Sequence, residues 1–304
     1  MKVTVVGGSG FLGSHVCDQL TLNGHKVKIY DLNTSPYLIE GQEQIVGDIL
    51  NTEELYMALE GSDAIYHFAG LADLDDSIHK PIETVKQNII GTLNILDFCK
   101  QNPKIKLIYA STVYVDSREG GFYRCSKVAA EDYIEEYERV FNLDYRILRY
   151  GSLYGSRSDE NNAIRKIIEN AITEGIVRYE GNIDSVREYI HVEDAARASV
   201  DILDETFKNQ CITLTGKEST RVFDLLKMVG EILGIDKEVQ FEEKDYHGHY
   251  IRTPYSYKKR AEFKYSPNKH IDIGKGILEL LSLIHISEPT RPLYISYAVF
   301  CLKK

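Results

Sequence analysis

The sequence predicts an α/β fold in which a doubly wound parallel sheet is joined to a smaller C-terminal domain. The first indication is an apolar run that leads into a glycine-rich turn and then a helical pattern, all within residues 3–20. The second is that β-branched runs alternate with helical patterns to about residue 150, and strands connected by helices pair in parallel. We therefore expect 1–150 to form the sheet, with later segments returning to it, and 151–280 to form mainly the smaller domain.

The predicted strands share a short, apolar and β-branched composition. They are 3–6, 26–30, 43–46, 64–68, 106–110 and 144–149. The predicted helices share apolar residues at three- and four-residue spacing. They are the segment ending at 20, followed by 52–59, 82–101, 123–141, 163–174, 192–204 and 222–233.

Composition restricts the classes of partner. The formal net charge is −10, which disfavours nonspecific binding to nucleic acid or to an anionic membrane surface, so a small polar ligand is expected. The five cysteines have no paired spacing, which predicts neither a disulfide framework nor a metal site. No signal-peptide pattern and no membrane-length apolar run is present, and we expect a cytoplasmic protein.

The last 24 residues differ in character from the rest. LSLIHISEPTRPLYISYAVFCLKK, residues 281–304, resembles a translated sequencing-library adapter. We predict a non-native tail, exclude it from fold reasoning and assign no role to His285 or Cys301. A genuine amphipathic tail is the alternative.

A glycine pattern predicts a dinucleotide site. Gly7, Gly10 and Gly13 lie where a strand turns into a helix, so the backbone can approach a pyrophosphate at the helix N-terminus. Asp31 ends the next strand, where a carboxylate can accept hydrogen bonds from ribose hydroxyls. No Arg or Lys lies between Asp31 and Glu40, which favours NAD over NADP. A tight turn without a ligand is the alternative.

A second pattern predicts proton transfer. Tyr123 and Lys127 are one turn apart at the start of a predicted helix and share a face. An ammonium group and a positively charged nicotinamide together could bring a phenol from pKa 10 to about 7, a change of roughly 4 kcal/mol. Thr112, just past the preceding strand, is our first choice for the hydroxyl that binds the reacting oxygen, and Ser111 is the second. A solvated helix face is the alternative.

The opening VTVVGGSGFLGSHV resembles that of the extended short-chain dehydrogenase/reductases, the NAD-dependent epimerase/dehydratase family. Further similar motifs are Gly47-Asp48-Ile49 and His67-Phe68-Ala69-Gly70, and the likeness extends over about residues 1–215. It implies a Rossmann-type sheet, a substrate-binding smaller domain and a homodimer paired through helices 82–101 and 123–141. The implied NAD contacts are Gly7, Gly10, Phe11, Leu12, Gly13, Asp31, Asp48, Ile49, Phe68, Ala69, Gly70, Asn88, Lys127 and Tyr150.

The resemblance also narrows the reaction. Family 4,6-dehydratases carry an Asp-Glu pair after the catalytic threonine, whereas Val113 and Tyr114 follow Thr112 here. The stretch VREYIHV, residues 186–192, is similar to the UDP-glucose 4-epimerases and implies that Arg187 binds the diphosphate of a UDP-hexose. By the same resemblance, Ser152 replaces an Asn that many epimerases use near the substrate phosphate, so the exact placement of the substrate stays open.

Two alternatives to a C4 epimerase stay open. One is a net NAD-dependent dehydrogenase or reductase, and the other is a non-catalytic cofactor-sensing protein. Only ten residues separate Thr112 from Tyr123, fewer than in most members, so detailed sugar specificity does not transfer.

The C-terminal part is less informative. A tyrosine-rich segment could line a sugar pocket or be a solvated surface; its residues are Tyr250, Arg252, Tyr255 and Tyr257. The pair His247 and His249, separated by Gly248, has no clear third ligand, so no metal site is predicted.

Overall fold

The computed structural model describes residues 1–235, 239–242, 249–254, 262–267 and 269–287, with 262 and 285–287 as backbone only. Eight strands form the main sheet. They are β1 (Lys2–Val6), β2 (Lys26–Asp31), β3 (Gln42–Val46), β4 (Ala64–His67), β5 (Lys106–Thr112), β6 (Asp144–Tyr150), β11 (Gln210–Leu214) and β14 (Glu262–Lys264). Six short strands form three small two-stranded ladders. They are β7 (Ser152–Tyr154), β8 (Arg178–Glu180), β9 (Val186–Arg187), β10 (Tyr189–His191), β12 (Thr220–Arg221) and β13 (Gln240–Glu242).

The main sheet is parallel throughout, with the strand order β14-β11-β6-β5-β4-β1-β2-β3. The chain builds outward from β1 to β3 on one side and then crosses over to continue from β4 on the other. Such a change of direction leaves a crevice at the carboxyl ends of the central strands, and ligands of open α/β sheets bind there.

Helices cover both faces of the sheet. They are α1 (Phe11–Leu22), α2 (Thr52–Leu59), α3 (Leu74–His79), α4 (Pro81–Val85), α5 (Gly91–Gln101), α6 (Gly121–Phe141), α7 (Ala163–Glu174), α8 (Val192–Asp201), α9 (Val222–Leu233) and α10 (Ile273–Ser287). One core cluster joins α1 and α8 to the sheet, and a second joins α2, α5 and α6 to it. A third cluster lies away from the sheet, between α7, α9 and α10.

Two irregular segments adjoin the crevice. A π-helical segment, Lys86–Ile90, connects α4 to α5, and a single 3-10 turn, Val113–Asp116, follows β5 directly. π-Helical turns are rare and often accompany functional sites.

The predicted fold class is confirmed by the parallel sheet with helices on both faces. Predicted helices 52–59, 163–174 and 222–233 coincide with α2, α7 and α9. The predicted helix 82–101 is correct in extent but contains the π-helical segment, and the predicted helix 192–204 ends earlier, at Asp201. After residue 150, β11 and β14 add to the sheet beside β6.

The helix α10 continues to Ser287, beyond the predicted boundary at residue 280, and Leu281 is buried in the third cluster. The origin of residues 281–304 stays a prediction. None of the helices in the described part of the chain is long and apolar enough to cross a membrane.

Candidate functional site

The glycine-rich turn packs backbone against backbone at the end of β1. Gly7 has a φ of +84°, and a Cβ there would lie 2.4 Å from the Ala69 nitrogen. A Cβ on Gly13 would lie 2.1 Å from the Gly7 carbonyl oxygen. Gly10 precedes α1 as its N-cap, and Phe11 and Leu12 begin the helix. Only glycine therefore allows the strand, the turn and the helix to approach this closely.

Asp31 is held beside this turn by backbone groups. Its Oδ2 accepts a hydrogen bond from the Ser9 nitrogen at 2.9 Å, and its Oδ1 accepts one from the Asn33 nitrogen at 3.0 Å. The Gln44 side-chain amide donates to the Asn33 carbonyl oxygen at 2.8 Å and braces the same loop. Each carboxylate oxygen keeps capacity to accept a further hydrogen bond, as ribose recognition requires. Ser9, Asn33 and Gln44 were not predicted from the sequence.

A cavity of about 400 Å³ opens between the glycine turn and the end of β4. Its lining includes seven of the residues predicted to contact NAD: Gly7, Gly10, Asp31, Ile49, Phe68, Ala69 and Gly70. Asp48 adjoins it, and its carboxylate accepts a hydrogen bond from the Leu50 nitrogen at 2.9 Å. The glycine cradle, the oriented carboxylate and the helix N-terminus fit a dinucleotide.

Two predicted NAD contacts are placed differently. Asn88 is buried, with Oδ1 accepting from the Leu71 nitrogen at 2.7 Å and Nδ2 donating to the Leu71 carbonyl oxygen and to Ser126 Oγ, each at 2.9 Å. The Tyr150 hydroxyl bonds Ser199 in the core at 2.7 Å. Both side chains are therefore engaged within the protein, and their contacts with NAD stay a prediction.

Thr112, Tyr123 and Lys127 meet where β5 ends and α6 begins. The Lys127 ammonium donates to the Ala110 carbonyl oxygen at 2.8 Å and lies 5.9 Å from the centre of the Tyr123 ring. Burial lowers the pKa of Lys127 to about 8, and the nearby Glu131 carboxylate limits that fall. Lys127 is therefore mainly cationic at neutral pH.

The phenol of Tyr123 is not acidified in the protein alone. Burial raises the pKa of Tyr123 to about 12, although a hydrogen bond with the Thr112 hydroxyl lowers it in part. The predicted value near 7 counted the positive charge of an oxidised nicotinamide together with that of Lys127, and the raised pKa of Tyr123 refers to the protein without that second charge.

Ser111, our second choice for the catalytic hydroxyl, is engaged on the other face of β5 from Thr112. Successive side chains of a strand point to opposite faces, and the Ser111 hydroxyl donates to the buried carboxylate of Glu131. Glu131 also pairs with Arg149 through two hydrogen bonds of 3.1 and 2.8 Å, and Arg149 reaches Asp116 at 2.9 Å. Sequence reasoning missed this network. A glutamate one turn after Lys127 on the same helix face was the available signal.

Arg187, predicted to contact the substrate, lies in β9 at the centre of a second group of side chains. Its guanidinium is buried, donates from Nη1 to the carbonyl oxygens of Val186 and Ile251 at 3.3 Å each, and lies 4.4 Å from the centre of the Tyr250 ring. The Tyr250 hydroxyl is 3.3 Å from Ser152 Oγ. Ser152 and Arg187, predicted separately, are therefore connected through Tyr250.

A second aromatic contact joins this group to the end of β5. The rings of Tyr114 and Tyr250 are 4.8 Å apart, and the Tyr114 hydroxyl is 2.5 Å from Nδ1 of His249. Arg252 is exposed, with its backbone bridged to Val186. Tyr255, Tyr257, His247 and Gly248 lie outside the described residues. Among the residues that are described, no cluster of three His, Cys, Asp or Glu side chains could hold a metal.

Comparison with known proteins agrees with this geometry. Residues 3–212 match the model of the NAD dependent epimerase/dehydratase family. The chain is 27% identical over 302 residues to a putative UDP-glucose 4-epimerase of Methanocaldococcus jannaschii, covering 92% of this chain and 97% of that one. The structure superposes with a TM-score of 0.83 on UDP-glucose 4-epimerase of Thermotoga maritima with UDP-glucose, at 25% identity, covering 94% and 99% of the two chains.

A second solved structure carries the cofactor. UDP-glucose 4-epimerase of Thermus thermophilus in complex with NAD superposes with a TM-score of 0.78, at 26% identity, covering 95% of this chain and 99% of that one. The family match covers more than two thirds of the chain. The chain therefore belongs to the NAD dependent epimerase/dehydratase family and is an NAD-dependent enzyme of the extended short-chain dehydrogenase/reductase type.

Proposed function

We propose that this enzyme epimerises a UDP-hexose at C4 through a transient 4-keto sugar. The observation that carries the proposal is the meeting of Thr112, Tyr123 and Lys127 at the mouth of the crevice, close to the glycine cradle. The relatives named above act on or bind UDP-glucose, which supports this substrate class. Val113 and Tyr114 follow Thr112, so the acid and base that a dehydratase needs at this position are missing.

In this reaction Tyr123 removes the proton of the C4 hydroxyl and later returns one. Thr112 donates a hydrogen bond to the reacting oxygen, and the Lys127 ammonium stabilises the phenolate. The Ala110 carbonyl oxygen keeps Lys127 directed toward the site. The bound NAD supplies a reversible hydride acceptor, so no net redox change results. Ser111 is left out of the mechanism, because its hydroxyl faces Glu131.

Arg187 is proposed to bind the substrate diphosphate. Nη1 is engaged by two carbonyl oxygens and the face of the guanidinium is covered by Tyr250, which fixes its plane. A guanidinium held in one plane can bind phosphate oxygens through two parallel hydrogen bonds. Holding the substrate by its diphosphate leaves the sugar ring able to turn between the two hydride transfers.

The domain assignment follows from the same proposal. Residues 1–150 would bind NAD, 151–280 would mainly bind the substrate, and 281–304 would be a non-native tail. A cytoplasmic location is supported by the thiols of Cys17, Cys99 and Cys125, which form no disulfide among the described residues.

A homodimer paired through α6 and the helical stretch from α4 to α5 is also proposed. Several large apolar side chains on these helices are exposed: Ile82, Val85, Ile90, Phe122, Tyr133 and Val140. Exposed apolar side chains grouped on neighbouring helices are a feature of interfaces. Light scattering of the full chain tests this, and a monomer at micromolar concentration would contradict it.

Proton NMR of the full chain with UDP-glucose or UDP-galactose, with absorbance at 340 nm followed in parallel, tests the reaction. We expect interconversion of the two sugars without accumulation of NADH. Tyr123→Phe should abolish it, while Tyr137→Phe on the same helix should not. Accumulation of NADH would instead indicate a net dehydrogenase, and binding of NAD without turnover of either sugar would favour a cofactor-sensing protein.

A further inference from the structure

A buried ionic network lies on the face of β5 opposite Thr112. Glu131 has no exposed surface, and the side chain of Arg149 is only 3% exposed. Glu131 accepts two hydrogen bonds from Arg149 and one from Ser111. Removing either charge from water without its partner would cost several kcal/mol, so the two groups depend on each other.

This network reaches both flanks of Thr112. Ser111 precedes Thr112 on the strand, and Asp116, which pairs with Arg149 at 2.9 Å, closes the 3-10 turn that follows Thr112. Arg149 itself lies in β6, opposite Ser111 in the parallel ladder. The backbone on each side of Thr112 is therefore tied to one buried carboxylate and its guanidinium partner.

Glu131 is also one helical turn from Lys127, and its carboxylate favours the charged form of that lysine. The other titratable groups facing Lys127 are Tyr109 of β5, at 4.8 Å from the ring centre, Tyr123 of α6 and His67 of β4. Burial raises the pKa of both tyrosines and lowers the pKa of His67 to about 3, with the Lys127 charge contributing to that fall. None of these three groups titrates near pH 8, where Lys127 does.

We propose that Glu131 is a positioning residue of this active site, fixing the Thr112 turn through Ser111 and Arg149 and placing a negative charge one helical turn from Lys127. The catalytic consequence rests on the function proposed above, whereas the effect on Lys127 does not. Glu131 touches neither substrate nor cofactor in this proposal. It acts on Thr112 through Ser111 and Arg149, and on Lys127 through its own charge.

The experiment compares Glu131→Gln with Glu136→Gln. Glu136 lies on the same helix in an exposed pair with Arg139, so its substitution changes the net charge equally. The Lys127 side chain is titrated by NMR in the full chain with labelled lysine, assigned with Lys127→Arg, in the absence of substrate. The pH dependence of kcat is measured beside it.

In Glu131→Gln, Lys127 should lose its proton at lower pH, because an opposite charge has been removed. The ratio of kcat at pH 6.5 to kcat at pH 8.5 should rise roughly fivefold, the order expected from loss of one nearby charge. Glu136→Gln should change neither. An unaltered Lys127 titration in Glu131→Gln would overturn the inference. If the wild type does not turn over a UDP-hexose but the Lys127 titration still moves in Glu131→Gln, only the proposed function is contradicted.

If Glu131→Gln does not fold, Ser111→Ala keeps the test decisive. It removes one hydrogen bond to Glu131 and preserves the ion pair with Arg149. We expect kcat to fall roughly three- to tenfold, the size of the effect of one typical hydrogen bond, with KM unchanged. A wild-type kcat in Ser111→Ala would contradict the positioning role.

Discussion

The glycine cradle and the group around Arg187, which we propose binds the substrate, are assembled differently. The glycine cradle and Asp31 come from one strand-helix-strand unit, and most of their contacts join residues fewer than about 25 positions apart. The group around Arg187 and Tyr250 joins segments 64 to 135 positions apart, through side chains. Adding one atom to the backbone cradle should therefore abolish NAD binding, whereas substitutions in the side-chain group should reduce substrate affinity in steps.

The largest expected effect is that of Gly13→Ala. The added Cβ would overlap the Gly7 carbonyl oxygen, and overpacking of this kind costs about 1–3 kcal/mol. NAD binding should be lost. Gly230→Ala in α9, where the nearest atoms are 3.6 Å away, should instead be neutral or stabilising by up to about 1 kcal/mol. Calorimetry measures the NAD affinity of both variants, and urea unfolding measures their stability. A normal NAD affinity in Gly13→Ala would contradict the role of the glycine turn in NAD binding.

An intermediate effect is expected for Arg187→Met. Loss of charge-assisted hydrogen bonds to the diphosphate should weaken UDP-hexose binding by roughly 2–3 kcal/mol, or about 100-fold. NAD affinity should stay within about twofold, because the change lies on the other side of the crevice. Arg221→Met is the matched control, being an exposed arginine on β12, the strand paired with β9. An equal loss of affinity for NAD and for the UDP-hexose would indicate that the two sides of the crevice do not act independently.

The smallest effect is expected for Tyr250→Phe. The ring over Arg187 is kept and only the contact with Ser152 is lost, so substrate affinity should fall less than about threefold. Tyr250→Leu also removes the cation–π contact and should cost about threefold more, corresponding to 0.5–1 kcal/mol. Titration with UDP-glucose distinguishes the two variants. Equal losses would show that the ring does not orient Arg187.

The comparison also explains what the sequence could predict. Gly7, Gly13, Asp31, Tyr123 and Lys127 carry their signal in local spacing, because strand and helix periodicity determine which neighbours share a face. The parallel sheet could be predicted from the sequence for the same reason.

The remaining contacts depend on which distant segments meet, and no local pattern encodes this. Glu131 and Arg149 lie on different elements, and Tyr114 and His249 are 135 positions apart. The hydrogen bonds that hold Asn88 inside the protein are likewise visible only in three dimensions.

The π-helical segment at Lys86–Ile90 has a consequence for how this enzyme can change. Deleting one residue there would restore a regular α-helix and its better hydrogen-bond geometry, which favours local stability. It would also rotate the side chains preceding the deletion by about 100° relative to those following it, the angle of one helical residue. Asn88 would then lose its place between Leu71 and Ser126. At this position the geometry that holds Asn88 and the geometry of a regular helix therefore oppose each other.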